Sequence, residues 1–258
     1  MRDRGLSEAI DAAGGVSELA RRLGIAQPSV SNWAKIPAER VLSVESATGV
    51  RRDLLRPDLY GSPSNSMSVD EMDAARARQY ALLATLLARA PDDALLDRLA
   101  ALQVEPTPLG LAYAALAQAA GETDAERVSR EYFDLFIGLG RGELLPYGSY
   151  YLTGFLHERP LARLRTDLAA LGIARAEGNV EPEDHVALLC EVMAGLADGR
   201  FAAPAVAGRD LFDKHLKPWV GRFFSDLETA EGAHFYRAVG ALGRVFIDIE
   251  SEAFTLPS

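Results

Sequence analysis

The sequence predicts an all-α protein: a large helical body preceded by a small helix-turn-helix domain. Three observations point there. From Val69 onward one amphipathic helical period follows another, and almost nothing alternates with the period of two that a half-buried strand requires. Ala and Leu are abundant while aromatics make up only 8% of the 258 residues, a balance that favours helix over sheet. The composition also breaks at "YGSPSNSMS", Tyr60–Ser68, a Gly/Ser/Pro/Asn run that reads as a linker. The expected organisation is a helix-turn-helix domain over 1–60, a linker over 61–68 and a helical body over 69–258.

Within the body, "VDEMDAARARQYALLATLLARA" places Met72, Ala75, Tyr80, Leu83, Leu86 and Leu87 on one face, and Pro91 closes the run. "TPLGLAYAALAQAAG" and "ETDAERVSREYFDLFIGLG" follow, each ending on a glycine of the kind that caps a helix C-terminus. "RPLARLRTDLAALGI" carries Pro160 in its first turn and Gly172 just past its end. Three further helical stretches lie in "EPEDHVALLCEVMAGLADG", "AVAGRDLFDKHLKPWVGRFFSDLET" and "EGAHFYRAVGALGRVFIDIESEAF". Between them "GLGRGELLPYGSYYLTGFLH", rich in Gly and Tyr with Pro146 inside it, breaks the pattern. A loop of that length in a helical domain usually carries function.

Net charge is −10, and it is unevenly spread: residues 1–60 hold nine Lys and Arg against eight Asp and Glu, so the acidity lies in the body. An acidic body repels phosphate backbones, which confines any nucleic-acid role to the first sixty residues. No stretch approaches the roughly 20 apolar residues that cross a bilayer. The N-terminal "MRDRGLSEAIDAAGG" lacks the apolar core of a signal peptide, so the expected location is the cytoplasm. The lone Cys190 excludes an internal disulfide framework and a Cys-based zinc site.

In the N-terminal module Leu19, Ala20 and Leu23 form a short apolar stripe, with Ser17 placed to cap that helix. Gly24 ends it, and "QPSVSNWAK" opens a second short helix with Pro28 in its first turn and Val30 and Trp33 facing inward. Helix, glycine turn, helix is the layout of a helix-turn-helix. The run Ala20–Ile25 followed by Gln27–Trp33 resembles the small Cro/YdaS-like helix-turn-helix proteins of phage and bacterial repressors. That resemblance implies Gln27, Ser29, Ser31 and Asn32 at base edges or phosphates, with Arg21, Arg22 and Lys35 on the DNA backbone. The alternative is a packing or dimerising module, since the stretch is only mildly basic.

Catalytic and metal chemistry find little support. The four histidines, His157, His185, His215 and His234, form no metal-binding pair at helical spacing, and "GLGRGELL" lacks the preceding strand and the Gly-Lys-Ser/Thr of a phosphate loop. No metal, no cofactor and no catalytic residue is expected. Glu181-Pro182-Glu183-Asp184-His185 reads as a helix start: Pro182 at the first helical position, Glu183 and Asp184 complementing the N-terminal dipole, and His185 leading the stripe Leu188, Leu189, Val192 and Leu196. A histidine beside carboxylates at a helix start is also a cradle for a basic, partly apolar peptide.

Across roughly residues 70–250 the body resembles the TorD/DmsD family of redox-enzyme maturation chaperones. The resemblance lies in Tyr132-Phe133-Asp134-Leu135-Phe136, Leu145-Pro146-Tyr147 with Ser149 and Tyr150, Glu181–His185, and Phe212…His215-Leu216…Pro218-Trp219, in this order. It implies an all-helical, non-enzymatic chaperone. Such a protein binds the twin-arginine signal peptide and the apoprotein of a molybdenum-cofactor oxidoreductase, of dimethyl-sulfoxide or trimethylamine-oxide reductase or formate dehydrogenase type, before export. Carried over, the peptide-binding residues are Tyr132, Leu135, Phe136, Pro182, Asp184 and His185. Guanidinium groups call for carboxylates and an apolar run calls for an aromatic groove, for which Tyr147 and Tyr150 are further candidates. The N-terminal module departs from the family's pattern and raises a second possibility, a transcriptional regulator with the body as client sensor. A monomer–homodimer mixture is expected.

Overall fold

The computed structural model describes residues 3–56, 59, 69–103, 105–175, 178 and 180–255; the expected linker lies outside them. The chain divides into two compact units, Met1–Ser68 and Val69–Ser258, and no strand occurs among the described residues.

The small unit packs helices α1 (Arg4–Ala13), α2 (Val16–Leu23), α3 (Gln27–Ser31), α4 (Val41–Thr48) and α5 (Arg52–Leu55) around Leu6, Leu19, Val30, Ile36, Val41, Val44 and Leu55. Asp3 caps α1 by accepting from the Gly5 N–H at 2.7 Å. Gly5 is obligatory for packing, because a Cβ there would lie 2.3 Å from the Leu55 carbonyl oxygen. Gly24 ends α2 at φ 63°, the left-handed cap the sequence foretells. Ser17 is not the cap of α2: the helix starts one residue earlier, at Val16, because Gly15 at φ 123° turns the chain in directly after α1.

The large unit is built on two helix pairs. Helix α6 (Val69–Ala88) lies against α12 (Val186–Ala197), and α14 (Val220–Thr229) against α15 (Phe235–Ala253). The hairpin of α7 (Asp93–Ala100) and α8 (Pro108–Gly121) covers α15, and α9 (Ala125–Tyr132) meets that helix near its start. Tyr80, Leu83, Leu86, Leu189, Cys190, Met193, Phe223, Phe224, Tyr236 and Leu242 meet in one continuous core. Burial pushes the Cys190 thiol up to about 12. On α6, Tyr80, Leu83, Leu86 and Leu87 are buried as their spacing predicts, whereas Met72 is exposed. Gly121 is no left-handed cap; it lies inside α8, and Glu122 follows it at φ −99°. The α14–α15 pair is tight because Gly240 and Gly243 lack side chains: a Cβ at Gly243 would lie 2.2 Å from the Phe224 ring.

Two polar ties lock these helices together. Glu131 at the end of α9 accepts backbone N–H bonds from His234, Phe235 and Tyr236 at 2.7–3.1 Å, so a carboxylate from another helix caps α15. Arg76 Nε on α6 donates to both oxygens of Glu250 on α15 at 2.9 Å, and the Tyr80 hydroxyl donates to Glu250 Oε2 at 3.1 Å.

Helices α9 and α13 (Ala207–Leu211) each run on into a π turn, Phe133–Ile137 and Phe212–Leu216, closed by N–H bonds from Gly138 to Phe133 O and from Lys217 to Phe212 O. Such turns insert one extra residue and are frequent at functional sites. Helices α10 (Gly148–Thr153) and α11 (Arg159–Ala170) complete the unit.

Candidate functional site

The Glu181–His185 cluster is not the first turn of a helix. Helix α12 begins at Val186, with His185 as its N-cap: Nδ1 accepts from the Ala187 N–H at 3.1 Å. Pro182, Glu183 and Asp184 form a turn ahead of it. A pairing with distant residues overrides the local helix signal. Tyr147 and His185 form an isolated antiparallel bridge, flanked by bonds from Gly148 N–H to Asp184 O and from Val186 N–H to Pro146 O, both 2.9 Å. Backbone groups so paired are unavailable to the α12 ladder, which sets the start of that helix.

Side chains reinforce this corner. The Tyr147 hydroxyl donates to Glu181 Oε1 at 2.6 Å, and its ring meets the His185 imidazole edge-on at 5.1 Å. Burial, then the Glu181 carboxylate, raises the Tyr147 phenol, so it stays a donor. Glu183 is tied to Arg165 of α11 at 2.8 Å. Asp184 is only 3% exposed; its Oδ2 accepts from the Ser149 N–H at 2.7 Å, while its Oδ1 and the Ser149 hydroxyl have no hydrogen-bond partner. A buried carboxylate oxygen left unbonded is costly, and a native site holding one has a reason for it.

Burial holds the His185 imidazole below its ordinary value, against the opposing pull of Glu181 and Asp184. Its Nδ1 must stay unprotonated to cap α12, so protonation breaks the cap. The folded value is depressed, hence the unfolded chain takes up the proton first, and stability is lost as pH falls below about 6.5. Replacing His185→Asn keeps an acceptor at the N-cap and removes the titration. The melting temperature of the variant, followed by circular dichroism, is expected to fall less between about pH 6.5 and 5 than that of the wild type. Equal slopes in the two proteins contradict this role for His185.

Of the other expected peptide contacts, Tyr132 lies near enough to the corner that, after burial, the Glu181 carboxylate raises its phenol. Leu135 is fully buried in the core, and Tyr132 and Phe136 stack with Tyr236 in a half-buried aromatic cluster with centroids 5.1–5.8 Å apart. The Tyr132 hydroxyl donates to Ala88 O at 3.0 Å and so closes the end of α6. The Gly-rich loop after the first π turn is fixed: Gly142 packs where a Cβ would lie 2.5 Å from Phe136, Glu143 accepts from Glu231 and Gly232 N–H, and Arg141 donates to the Tyr150 hydroxyl at 2.6 Å.

Asp184 opens onto a cleft of about 500 Å³ that the sequence does not announce as a unit. Trp219 and Leu152 supply apolar wall, and Asp167 of α11 and His215 of the second π turn line the same space. His215 Nε2 and Asp167 Oδ2 are 2.7 Å apart, and the Trp219 indole N–H donates to the His215 carbonyl at 2.6 Å. Gly148 lets that indole approach, since a Cβ would lie 3.0 Å from Nε1. His215 and Trp219 stand in the resemblance motif; Asp167 carries no signal in the sequence.

In the small unit Gln27, Ser29 and Asn32 are exposed on or just after α3, whereas Ser31 is half-buried and accepts from the Gln27 amide at 3.0 Å. Arg21 and Arg22 both bond to Glu18, at 2.5–3.2 Å, and Arg22 also donates to Ala47 O. These bonds hold the Glu18 carboxyl at about 2, so the two arginines are charge-compensated from within α2. Lys35 is exposed. Among the described residues no group of three or more His, Cys, Asp or Glu could hold a metal ion, and no helix is long and apolar enough to cross a membrane.

Comparison with known proteins places these two units. Residues 102–225, which supply every side chain of the Asp184 corner and its cleft, match the family model described as the nitrate reductase delta subunit; residues 6–64 match that of the bacterial toxin YdaS. The chaperone TorD of Vibrio cholerae is 28% identical over 129 residues, 46% of this chain and 59% of TorD. TorD of Aliivibrio fischeri is 28% identical over 141 residues, 50% of this chain and 66% of that protein. The Tat proofreading chaperone DmsD of Haemophilus influenzae is 31% identical over 119 residues, 45% and 57% of the two chains. The chain thus spans less than two thirds of the length of each of these relatives. A crystal structure of a redox enzyme maturation protein from Archaeoglobus fulgidus superposes with a TM-score of 0.48 at 19% identity, covering 72% of this chain and 99% of that one. The chain therefore joins a YdaS-like helix-turn-helix module to an all-helical body similar in sequence to the TorD and DmsD redox-enzyme chaperones.

Proposed function

We propose that this protein is a non-enzymatic, cytoplasmic chaperone. It binds the twin-arginine signal peptide and the apoprotein of a molybdenum-cofactor oxidoreductase, of sulfoxide or N-oxide reductase or formate dehydrogenase type, and releases it for export once the cofactor is in place. One observation carries the reading: the family match over residues 102–225 spans the corner around Asp184 and His185, in a chain that is also similar to TorD and DmsD. An acidic body and a buried, half-bonded carboxylate beside aromatic walls suit a peptide that is basic and then apolar. Affinity capture of the tagged protein from its native cells, followed by mass spectrometry, tests it. A molybdoenzyme precursor still carrying its signal peptide is expected with wild type and depleted with His185→Ala. Capture of mature enzyme alone, or equal capture by the variant, counts against it.

The YdaS-like module supports a second role, a DNA-binding regulator whose body senses client. In this role the exposed Gln27 and Asn32 would read bases, while the Glu18 clasp on Arg21 and Arg22 limits phosphate contact. Fluorescence anisotropy with the protein's own promoter DNA is expected to show salt-sensitive binding that Gln27→Ala with Asn32→Ala weakens about tenfold or more, with client capture unchanged. No anisotropy change at low salt removes this role.

A further inference from the structure

We propose that the cleft between α9 and the start of α15 is a docking site for an acidic, extended segment of a second protein, whose carboxylates are taken by Arg127, Arg130 and Arg237. It goes beyond the chaperone reading, because a twin-arginine peptide is basic and three arginines repel it.

The cleft measures about 760 Å³ and lies in a body whose charge is otherwise negative. Guanidinium groups from two helices line it: Arg127 and Arg130 from α9, Arg237 from α15. Arg237 is exposed and makes no ion pair or hydrogen bond among the described residues. Arg127 and Arg130 are each tied only to an exposed acid one turn back, Asp124 at 3.4 Å and Glu126 at 3.3 Å. Exposed pairs of that kind contribute little and give way to a better acceptor.

The carboxylates on the cleft decide which anion fits. Both oxygens of Glu131 are held by the N–H groups that open α15, which leaves Glu122 and Asp134 beside the three arginines. A polyphosphate, with its charge concentrated, meets those two acids as well as the cations. A peptide main chain instead offers them its N–H groups, between side chains that reach the arginines. The spacing agrees. Arg127 and Arg130, three apart on α9, have Cβ atoms about 5–6 Å from each other. Alternate side chains of an extended chain leave one face about 7 Å apart. Acids at alternate positions therefore meet successive guanidinium groups, each a two-pronged donor to a carboxylate. Ala119 and Gly232 add only small groups to the lining, so a main chain can lie between the helices.

The test uses the full chain and a short fluorescein-labelled peptide alternating glutamate with alanine, read by polarisation. Its control carries glutamine in place of glutamate. Saturable binding of the glutamate peptide is expected, with none of the glutamine peptide. Arg237→Gln should weaken binding about fivefold or more, and Arg130→Gln should weaken it further when added. Arg209→Gln on α13 changes the net charge equally but lies outside the cleft, so it should leave the affinity unchanged. All three side chains are exposed, and the circular dichroism of each variant should match wild type. Equal weakening by Arg209→Gln and Arg237→Gln, or equal binding of the two peptides, overturns the site. Displacement by inorganic tripolyphosphate at a lower concentration than by unlabelled glutamate peptide assigns the cleft to a phosphate ligand and overturns the acidic partner. The chaperone reading is tested by client capture and stands apart from each of these results.

Discussion

Glu131→Ala is expected to destabilise the large unit by about 3 kcal/mol, measured by urea unfolding followed by circular dichroism. The reason is the start of α15. His234 stands at its N-cap position without a side-chain bond of its own, and the N–H groups of His234, Phe235 and Tyr236 all point at one carboxylate. Glu131 is buried, as are Phe235 and Tyr236, so water does not readily replace it. Each orphaned buried donor costs about 1–3 kcal/mol, and the three are not independent. Glu131→Gln keeps an acceptor oxygen and loses the charge, so an intermediate effect is expected. Glu126→Ala on the same helix removes only an exposed ion pair to Arg130 at 3.3 Å and should change stability very little. A Glu131→Ala protein as stable as Glu126→Ala would show that the cap does not hold α15.

Arg76→Met should cost about as much, roughly 3–5 kcal/mol, because it strands a buried charge. The Glu250 side chain is 4% exposed, and burial raises its carboxyl above the ordinary value even with Arg76 and Tyr80 both bonded to it. Without the guanidinium the rise is larger. A raised folded value means that the native state favours the protonated acid. The variant is therefore expected to regain stability as pH falls through that raised value towards about 4.5, where the unfolded chain also protonates. Adding Glu250→Gln removes the stranded charge and should restore most of the loss at pH 7, as a double-mutant cycle in urea would record. Additive losses in the double variant would mean that the two residues act separately.

What the sequence discloses and what it hides divide along the range of the interactions. The stripe Tyr80, Leu83, Leu86 and Leu87, the glycine after α2 and the proline in the first turn of α11 are local signals, and each is found where its spacing puts it. The Glu181–His185 cluster misleads because its helix-start signals are real yet outcompeted by pairing with residues 146–148, some 35 positions earlier. Glu131 looks like one more exposed acid in an amphipathic helix; its three partners lie more than 100 residues ahead. The cleft is hidden for the same reason. Asp167, Asp184 and Trp219 come from separate elements, and nothing in the spacing of one reports the others. Gly240 and Gly243 read as weak points in a helix, and only the nearness of Glu228 and Phe224 explains them.

The buried Cys190 gives the molecule its own clock. As the only thiol in the chain, seated between the two principal helices and held almost wholly protonated, it is closed to electrophiles while those helices stay together. Any labelling must pass through a state in which α6 and α12 have parted. The rate of alkylation at Cys190 is thus a direct count of how often the body opens, readable in wild type without introducing a probe. Client binding that tightens the body slows that clock, and binding that pries it open speeds it.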